Sequence, residues 1–498
     1  MKTLMMMLAL LLSLCPAAVI RVPSEQPNIQ AGLNAVLSGD TVLVAPGTYV
    51  EFLTWPARDG ITLLSEFGPD STVIDGLHKL LVVRMDAMQY TNATVLRGFT
   101  ISRGEQAVPG SLGAGIRCSG SPVICYNRII NNRLVAYGYG AGVYASGAPV
   151  FHHNFVAGDT IANSGGGGSR YGPGVYCAGS GVFYQNVFMD NAALGGVGGF
   201  WYGGGLCLTG GSPVVFSNLF LGNRVGTTTG GVAWGGGLYQ ENCSAYIANN
   251  TFVANVCSTA IAYGGAVFLS QPWTTVFKNN VLVHNRAEGV MPMGGGVAAY
   301  VDTLNDTAVV DYNDAWSNLP TNYYACYPGP HALSLDPLFT AGPRGNYYLS
   351  HVAAGQAEDS PCLNAGDTIS MTVPLNLDSL LHVWTTRTDT FPDAGVLDLG
   401  YHYEFNPQSW VSEQATLPRS RPTLQISPNP CRGMTTIRFS PFALRHSPVA
   451  LRVYDASGRL VLSQPVLTSS FVLRTSSLAS GFYVARLGFA TARFVVER

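Results

Sequence analysis

The sequence predicts an all-β chain: a parallel β-helix, or solenoid, followed by a small C-terminal β-sandwich. Three observations predict it. A glycine-rich triplet followed by an aliphatic residue returns seven times. Paired polar positions five residues apart travel in phase with it. Of 498 residues only 11% are charged, while 58 are glycine and 47% are apolar. A charged share under half the usual ~25% excludes a coiled coil or an ordinary helical enzyme. The apolar content excludes a disordered tail. A net charge of −2 argues against a surface for nucleic-acid phosphates.

The triplets begin at Gly113, Gly140, Gly172, Gly203, Gly235, Gly264 and Gly294. Their aliphatic partners are Ile116, Val143, Val175, Leu206, Leu238, Val267 and Val297, spaced 27 to 32 residues apart. The polar pairs are Asn127/Asn132, Asn154/Asp159, Asn186/Asn191, Asn218/Asn223, Asn250/Asn255 and Asn280/Asn285. Between them lie short β-type runs, with no helical periodicity of useful length. Such strands bury a face only by stacking on the next repeat. One coil per repeat puts equivalent residues ~4.8 Å apart. Asparagines then form ladders that satisfy buried turns without charge, and glycine fits where backbones approach closely.

Ahead of the repeats, Ile29, Leu33, Val36 and Leu37 share one helical face, with Asn28 as its cap. This short helix is expected to cover the open end of the stack. Strands are expected at 41–44, 61–64, 80–84 and 94–101, and coils from about 40 to 318. Beyond them, residues 404–422 read as a linker. Short alternating strands between 435 and 496, separated by turns, then predict the sandwich.

These residues carry four resemblances. Gly39-Asp40-Thr41-Val42, Ala45-Pro46-Gly47-Thr48-Tyr49 and Val73-Ile74-Asp75-Gly76 resemble the opening of bacterial β-helix proteins. Gly264-Gly265-Ala266-Val267, with Phe188–Asn191, Phe220–Asn223 and Phe252–Asn255, resembles the polymorphic outer-membrane protein repeat. Asp336-Pro337-Leu338-Phe339, Ser360-Pro361-Cys362-Leu363-Asn364-Ala365-Gly366 and Asp398-Leu399-Gly400-Tyr401-His402-Tyr403 resemble the closing segment of such chains. The fold implied by the resemblance is the right-handed parallel β-helix, a pectate-lyase-like solenoid, which hosts many functions. Ser427-Pro428-Asn429-Pro430, Leu451-Arg452-Val453-Tyr454-Asp455, Gly458-Arg459 and Ser480-Gly481-Phe482-Tyr483 resemble the type IX secretion C-terminal sorting domain. That resemblance implies export through the secretion machinery, removal of the domain and surface attachment; Arg493 to Arg498 depart from it, with arginine where lysine is commoner.

Lys2, the apolar run from Leu4 to Leu14 and Ala17-Ala18 read as a secretory signal peptide cut after Ala17 or Ala18. Leu14, where a small residue is needed, argues against lipidation at Cys15. No later apolar stretch reaches 18 residues, so no helical membrane span is expected in the mature chain. The expected organisation is signal peptide 1–18, β-helix 19–403 with its capping helix, linker 404–422 and sorting domain 423–498. The nine cysteines after the leader include no CxxC, which argues against zinc. They read as buried small apolar residues, with Cys326 and Cys362 the first pair to test for a disulfide.

Chemistry is sparse. β-Helix enzymes acting on acidic polysaccharides need clustered carboxylates, with an Arg or Lys base in the lyases. The chain has no Asp-Asp, Asn-Thr-Asp or Gly-His-Gly, so the polygalacturonase-type constellation is absent. Asp159, Asp190, Glu241 and Glu288 stand isolated in the repeats, and no catalytic residue is assigned. Asp302, Asp306, Asp311 and Asp314 are dense enough to hold Ca²⁺ or to form a solvated end-turn. His152 and His153 are expected to face opposite ways and not to chelate together.

The most informative feature is aromatic. Tyr139, Tyr171, Tyr202, Trp234 and Tyr263 each precede a triplet, and Tyr144, Tyr176, Tyr239 and Phe268 follow one. In register the first set makes a ladder. It stabilises the coils by mutual stacking, or it presents a platform for sugar rings with the triplets leaving room and loops 164–170, 193–200 and 225–233 as walls. The functional expectation is a secreted or cell-surface protein binding a polysaccharide or partner surface, adhesin-like and non-catalytic. The alternative is a polysaccharide lyase or glycoside hydrolase with an acidic site across coils. The two separate on whether two or more acids and an arginine converge in a groove.

Overall fold

The computed structural model describes residues 17–162, 167–196, 198–227, 230–300, 308–367 and 380–404, and most of 424–497. The chain divides into two compact units, residues 1–413 and 414–498.

The first unit is a parallel β-helix. In one coil the chain runs through strand a (Leu206–Thr209), b (Val214–Phe216), c (Leu219–Leu221), d (Arg224–Val225) and e (Val232–Trp234). Each pairs with its counterpart one coil on: Leu206 with Leu238, Val214 with Tyr246, Leu219 with Thr251, Val232 with Ile261. Among the described residues, sheets a, b and c reach 10, 11 and 10 strands, and sheets d and e seven each. Sheets a to c enclose the main core, in which Phe188, Phe220 and Phe252 stack at 4.7 and 4.5 Å. Strands d and e form a side lobe around a smaller core of Trp201, Val225, Ala233 and Cys257.

Two ladders join the coils. The b–c corner carries Asn127, Asn154, Asn186, Asn218, Asn250, Asn280 and Asn313, and the c–d corner Asn132, Asp159, Asn191, Asn223, Asn255, Asn285 and Asn318, all buried. At one rung, Asn223 Oδ1 accepts from Asn191 N at 3.2 Å and from Asn191 Nδ2 at 3.0 Å. Asn223 Nδ2 donates to the main-chain oxygen of Phe188 at 2.9 Å. The residue before each b–c rung turns left-handed, from Tyr126 (φ 56°) to Tyr312 (φ 52°). That conformation costs ~1–2 kcal/mol for an L-residue, and the rung's hydrogen bonds offset it.

Asp159 is the exception. Its Oδ1 accepts from Asn132 N and Nδ2, but its buried Oδ2 has no partner. Burial pushes the carboxyl well above its ordinary 3.8, against the hydrogen bonds from Asn132. Asp159 thus takes the place of an asparagine in a setting that favours its neutral form.

The N-terminal cap is a helix, Ile29–Ala35, with Asn28 Oδ1 accepting from Ala31 N at 2.8 Å. Ile29, Leu33 and Val36 are buried, but Leu37 is 62% exposed, because the chain is already extended at Val36. Ahead of the helix the structure adds a strand the sequence reading missed, Val19–Val22, paired in parallel with Thr41–Val44.

The closing segment folds back over the outside of sheets b and c. After the hairpin Phe339–Gly342/Gly345–Leu349, Leu381, Trp384 and Leu397 cover Val182, Val214 and Phe216. Tyr348, Tyr401 and Tyr403 cover Phe155, Val187 and Leu219. Its last residues descend the b–c corner coil by coil. Gly400 N donates to Asn279 O, Tyr401 N to Thr251 Oγ1 and His402 N to Ser217 Oγ, and His153 Nε2 lies 2.6 Å from Glu404 Oε2. All nine cysteines are free. Cys326 contacts the main-chain oxygen of Val297 and Cys362 contacts Asp314, so they do not form the disulfide considered above.

The second unit packs a three-stranded antiparallel sheet and a four-stranded one around Cys431, Ile437, Leu451, Val453, Tyr483 and Phe494. This is the expected sandwich, with one further strand, Leu424–Ser427.

Two predictions follow from the ladders. Asn223→Ala strands the Asn191 donors and the Phe188 carbonyl, so about 3 kcal/mol of stability or more is lost in denaturant titration. Asp159→Asn supplies the missing donor. The folded wild type holds a proton that the unfolded chain releases above 3.8, so its stability falls as pH rises from there towards the raised folded value. The variant is expected to be the more stable near neutral pH, with an advantage that grows as pH rises above about 4. A constant advantage would show that Asp159 is ionised.

Candidate functional site

The five predicted aromatics fall at the ends of successive e strands and pair in register: Tyr139 with Tyr171, Tyr171 with Tyr202, Tyr202 with Trp234, Trp234 with Tyr263. Their rings stack nearly parallel at 4.8, 4.3, 4.8 and 6.3 Å, tilted by 2 to 8°. The row lies outside the coil core, with all five half-buried.

The second row sits on the outer face of sheet a, where Tyr144, Tyr176, Cys207, Tyr239 and Phe268 are consecutive. It meets the first row edge to face, as in Tyr139–Tyr176 at 5.0 Å and Tyr202–Tyr239 at 4.9 Å. The rows therefore pack as one stripe across the corner between lobe and body. Tyr239 and Phe268 are buried by that packing. Burial pushes the phenols of Tyr171 and Tyr202 up, so both keep their protons near neutral pH.

This geometry corrects the platform picture. Ring faces inside the ladder are occupied by neighbouring rings, so a ligand along the stripe meets ring edges and hydroxyls. Nor do the triplets leave room for a ligand. Gly235 is buried at φ 63°, and a Cβ there would stand 2.1 Å from Leu238 O; one on Gly236 would stand 2.2 Å from Gly265 O. The first glycine turns the chain from lobe into sheet a, and the second allows coil-to-coil backbone contact. Of the proposed walls, exposed Phe200 lies over Trp234 at 6.0 Å; residues 164–166, 197 and 228–229 lie outside the described residues.

The sequence reading missed the polar end of this face. Arg84 and Arg117 precede Tyr144 in the second row, and both bind Asp86, Arg117 Nε at 2.7 Å from Oδ1. The Arg117 hydrogen bond leads in holding the Asp86 carboxyl below its ordinary range. The signal was present, since Arg117 follows Ile116 where Tyr144 follows Val143. Among the described residues the ion pairs of these two arginines share a single carboxylate, Asp86. Asp393 and Asp398 are neighbours within the closing segment itself, both buried, where Asp393 Oδ2 lies 2.8 Å from His402 Nε2 and also accepts from the main-chain Asp398 N.

Of the proposed calcium ligands, Asp302 and Asp306 lie outside the described residues. Asp311 binds His331 Nδ1 at 2.9 Å and accepts from two main-chain amides. Asp314 accepts from Leu335 N and Cys362 Sγ, and burial raises it to about 6. No group of three metal-binding side chains occurs among the described residues. His152 and His153 do not point apart as expected. The left-handed turn at His153 brings their Nδ1 atoms to 2.7 Å, with His153 stacked on Tyr126 and His152 on Tyr184.

Residues 425–497 match the family model of the secretion system C-terminal sorting domain. No curated protein matches the chain. The sorting domain is of the type IX kind and marks a secreted or cell-surface protein that engages the type IX machinery. Among the described residues no helix is long and apolar enough to cross a membrane.

Gly235→Ala is expected to cost several kcal/mol, because both φ and the Leu238 carbonyl oppose a Cβ. Gly198→Ala, at φ 70° with nothing within 4 Å, is expected to cost about 1 kcal/mol. Thermal unfolding of the pair checks this, and equal losses would contradict the role assigned to the triplet.

Proposed function

We propose that this secreted β-helix is an adhesin-like binding protein whose aromatic stripe holds a glycan chain along the coil axis, without catalysis. In this reading residues 1–18 are the signal peptide, 19–403 the binding solenoid, 404–422 a linker and 423–498 the sorting domain. The observation that carries it is the half-exposed row Tyr139, Tyr171, Tyr202, Trp234 and Tyr263. Five coils at ~4.8 Å make a stripe of about 20 Å, the length of several sugar units, with Tyr hydroxyls as donors and acceptors along it. Aromatic side chains with polar tips suit a wet recognition surface. The Arg84–Asp86–Arg117 group at one end adds charged hydrogen-bonding partners. A partner protein laid along the same stripe is favoured by the edge-on rings, which offer no open sugar-stacking face between neighbours.

Glycan-array binding, followed by titration of Trp234→Ala and Tyr202→Phe, tests the proposal. Trp234→Ala is expected to weaken binding tenfold or more, about 1.4 kcal/mol, in a protein that remains folded. Tyr202→Phe keeps the stack and removes one hydroxyl, so its loss is expected to be smaller. Unchanged affinity in both variants would leave the stripe a structural seam. Turnover of an acidic polysaccharide would favour the enzyme reading.

A further inference from the structure

The first described residues make a contact with a buried carboxylate. Ala18 N donates to Asp40 Oδ1 at 2.8 Å, and Leu37 N donates to Asp40 Oδ2 at 2.7 Å. Asp40 is 9% exposed, and among the described residues no ion pair includes it. Two main-chain amides already hold this nearly buried carboxylate by charge-assisted hydrogen bonds, and a cation in place of one neutral donor strengthens the contact further. Ala17 and Ala18 are exposed, whereas the strand that follows, Val19–Val22, is already paired with Thr41–Val44, with Thr41 N donating to Ala18 O at 2.8 Å.

We propose that the leader is removed between Ala17 and Ala18, and that the new α-ammonium of Ala18 forms an ion pair with Asp40 that fastens the first strand to the β-helix. Water adds across the Ala17–Ala18 peptide bond, leaving a carboxylate on Ala17 and an ammonium on Ala18. The atom that becomes charged is the nitrogen already bonded to Asp40, so no rearrangement is needed. The small side chains of Ala17 and Ala18 suit a signal peptidase. A cut one residue later removes Ala18, and with it both the Asp40 partner and the carbonyl that accepts from Thr41. Processing thus adds a charged clasp at the capped end of the coil stack, where strand Val19–Val22 otherwise forms a sheet edge. The inference rests on the leader reading, which allows a cut after Ala17 or Ala18, and goes beyond it in moving the boundary from residue 18 to residue 17 and assigning the new terminus a partner.

Two measurements test it separately. The N-terminus of the exported protein, read by mass spectrometry, is expected to be Ala18. Val19 or another start within the folded unit would overturn the proposal, and a mature chain retaining residues 1–17 would overturn the leader reading itself. Independently, a full-length chain starting at Ala18 is compared with one starting at Ala17, each released from a self-cleaving fusion. The extra residue moves the ammonium ~3.8 Å away and leaves an amide at Ala18. Amide hydrogen exchange over residues 19–22 is expected to be about three- to fivefold slower in the Ala18 chain, the scale of one partly exposed ion pair. In Asp40→Asn chains the difference is expected to vanish. Equal exchange in the two wild-type chains, or a difference that survives Asp40→Asn, would overturn the clasp.

Discussion

The structure depends on coil-to-coil register. Every ladder asparagine must stand over the next for its oxygen to accept two hydrogen bonds and its amide to reach the main chain of the coil below. A slip of one residue would bury unpaired amides at both corners, each costing ~1–3 kcal/mol. Register in turn stacks the phenylalanines in the core and the tyrosines outside it. It also explains the scarcity of charge: a buried turn repeated at each coil is satisfied by amides, where a column of like charges would repel.

The stripe follows from the same constraint. Strand e ends immediately before a crowded left-handed turn that only glycine fits, so the aromatic preceding it has the same position in each coil. Stacking then occupies the ring faces and leaves edges and hydroxyls outward. The closing segment takes the other flank, covering the apolar outer faces of sheets b and c. The aromatic corner between lobe and body is thereby the long face of the coils that carries a continuous apolar and hydroxyl surface. The sorting domain accounts for delivery of that surface to the cell exterior.

Much of this was legible because repetition turns a weak signal into a strong one. One glycine-rich triplet says little; seven at ~30 residues, in phase with paired asparagines, specify coils and ladders. Singular features were harder to read. Strand Val19–Val22 lies outside the repeat and ahead of the capping helix, so no periodicity marks it. His153 escaped because a left-handed residue breaks the strand alternation on which the prediction for His152 and His153 relied. The path of residues 380–404 over sheets b and c is set by tertiary burial of Trp384 and Tyr401, and no local pattern encodes it. Arg84 and Arg117 were legible by register with Tyr144 but were passed over because they are not aromatic. For the calcium reading, Asp311 and Asp314 proved already committed, one to His331 and one to Cys362.

Hydrogen exchange resolved along residues 19–324 measures the central claim most directly. If ladder register holds the coils as one unit, the main-chain amides of Asn154, Asn186, Asn218, Asn250 and Asn280 will be the slowest class and will exchange together with a single dependence on denaturant. Coils that open one by one, with interior ladder amides exchanging as fast as the lobe strands, would contradict the account.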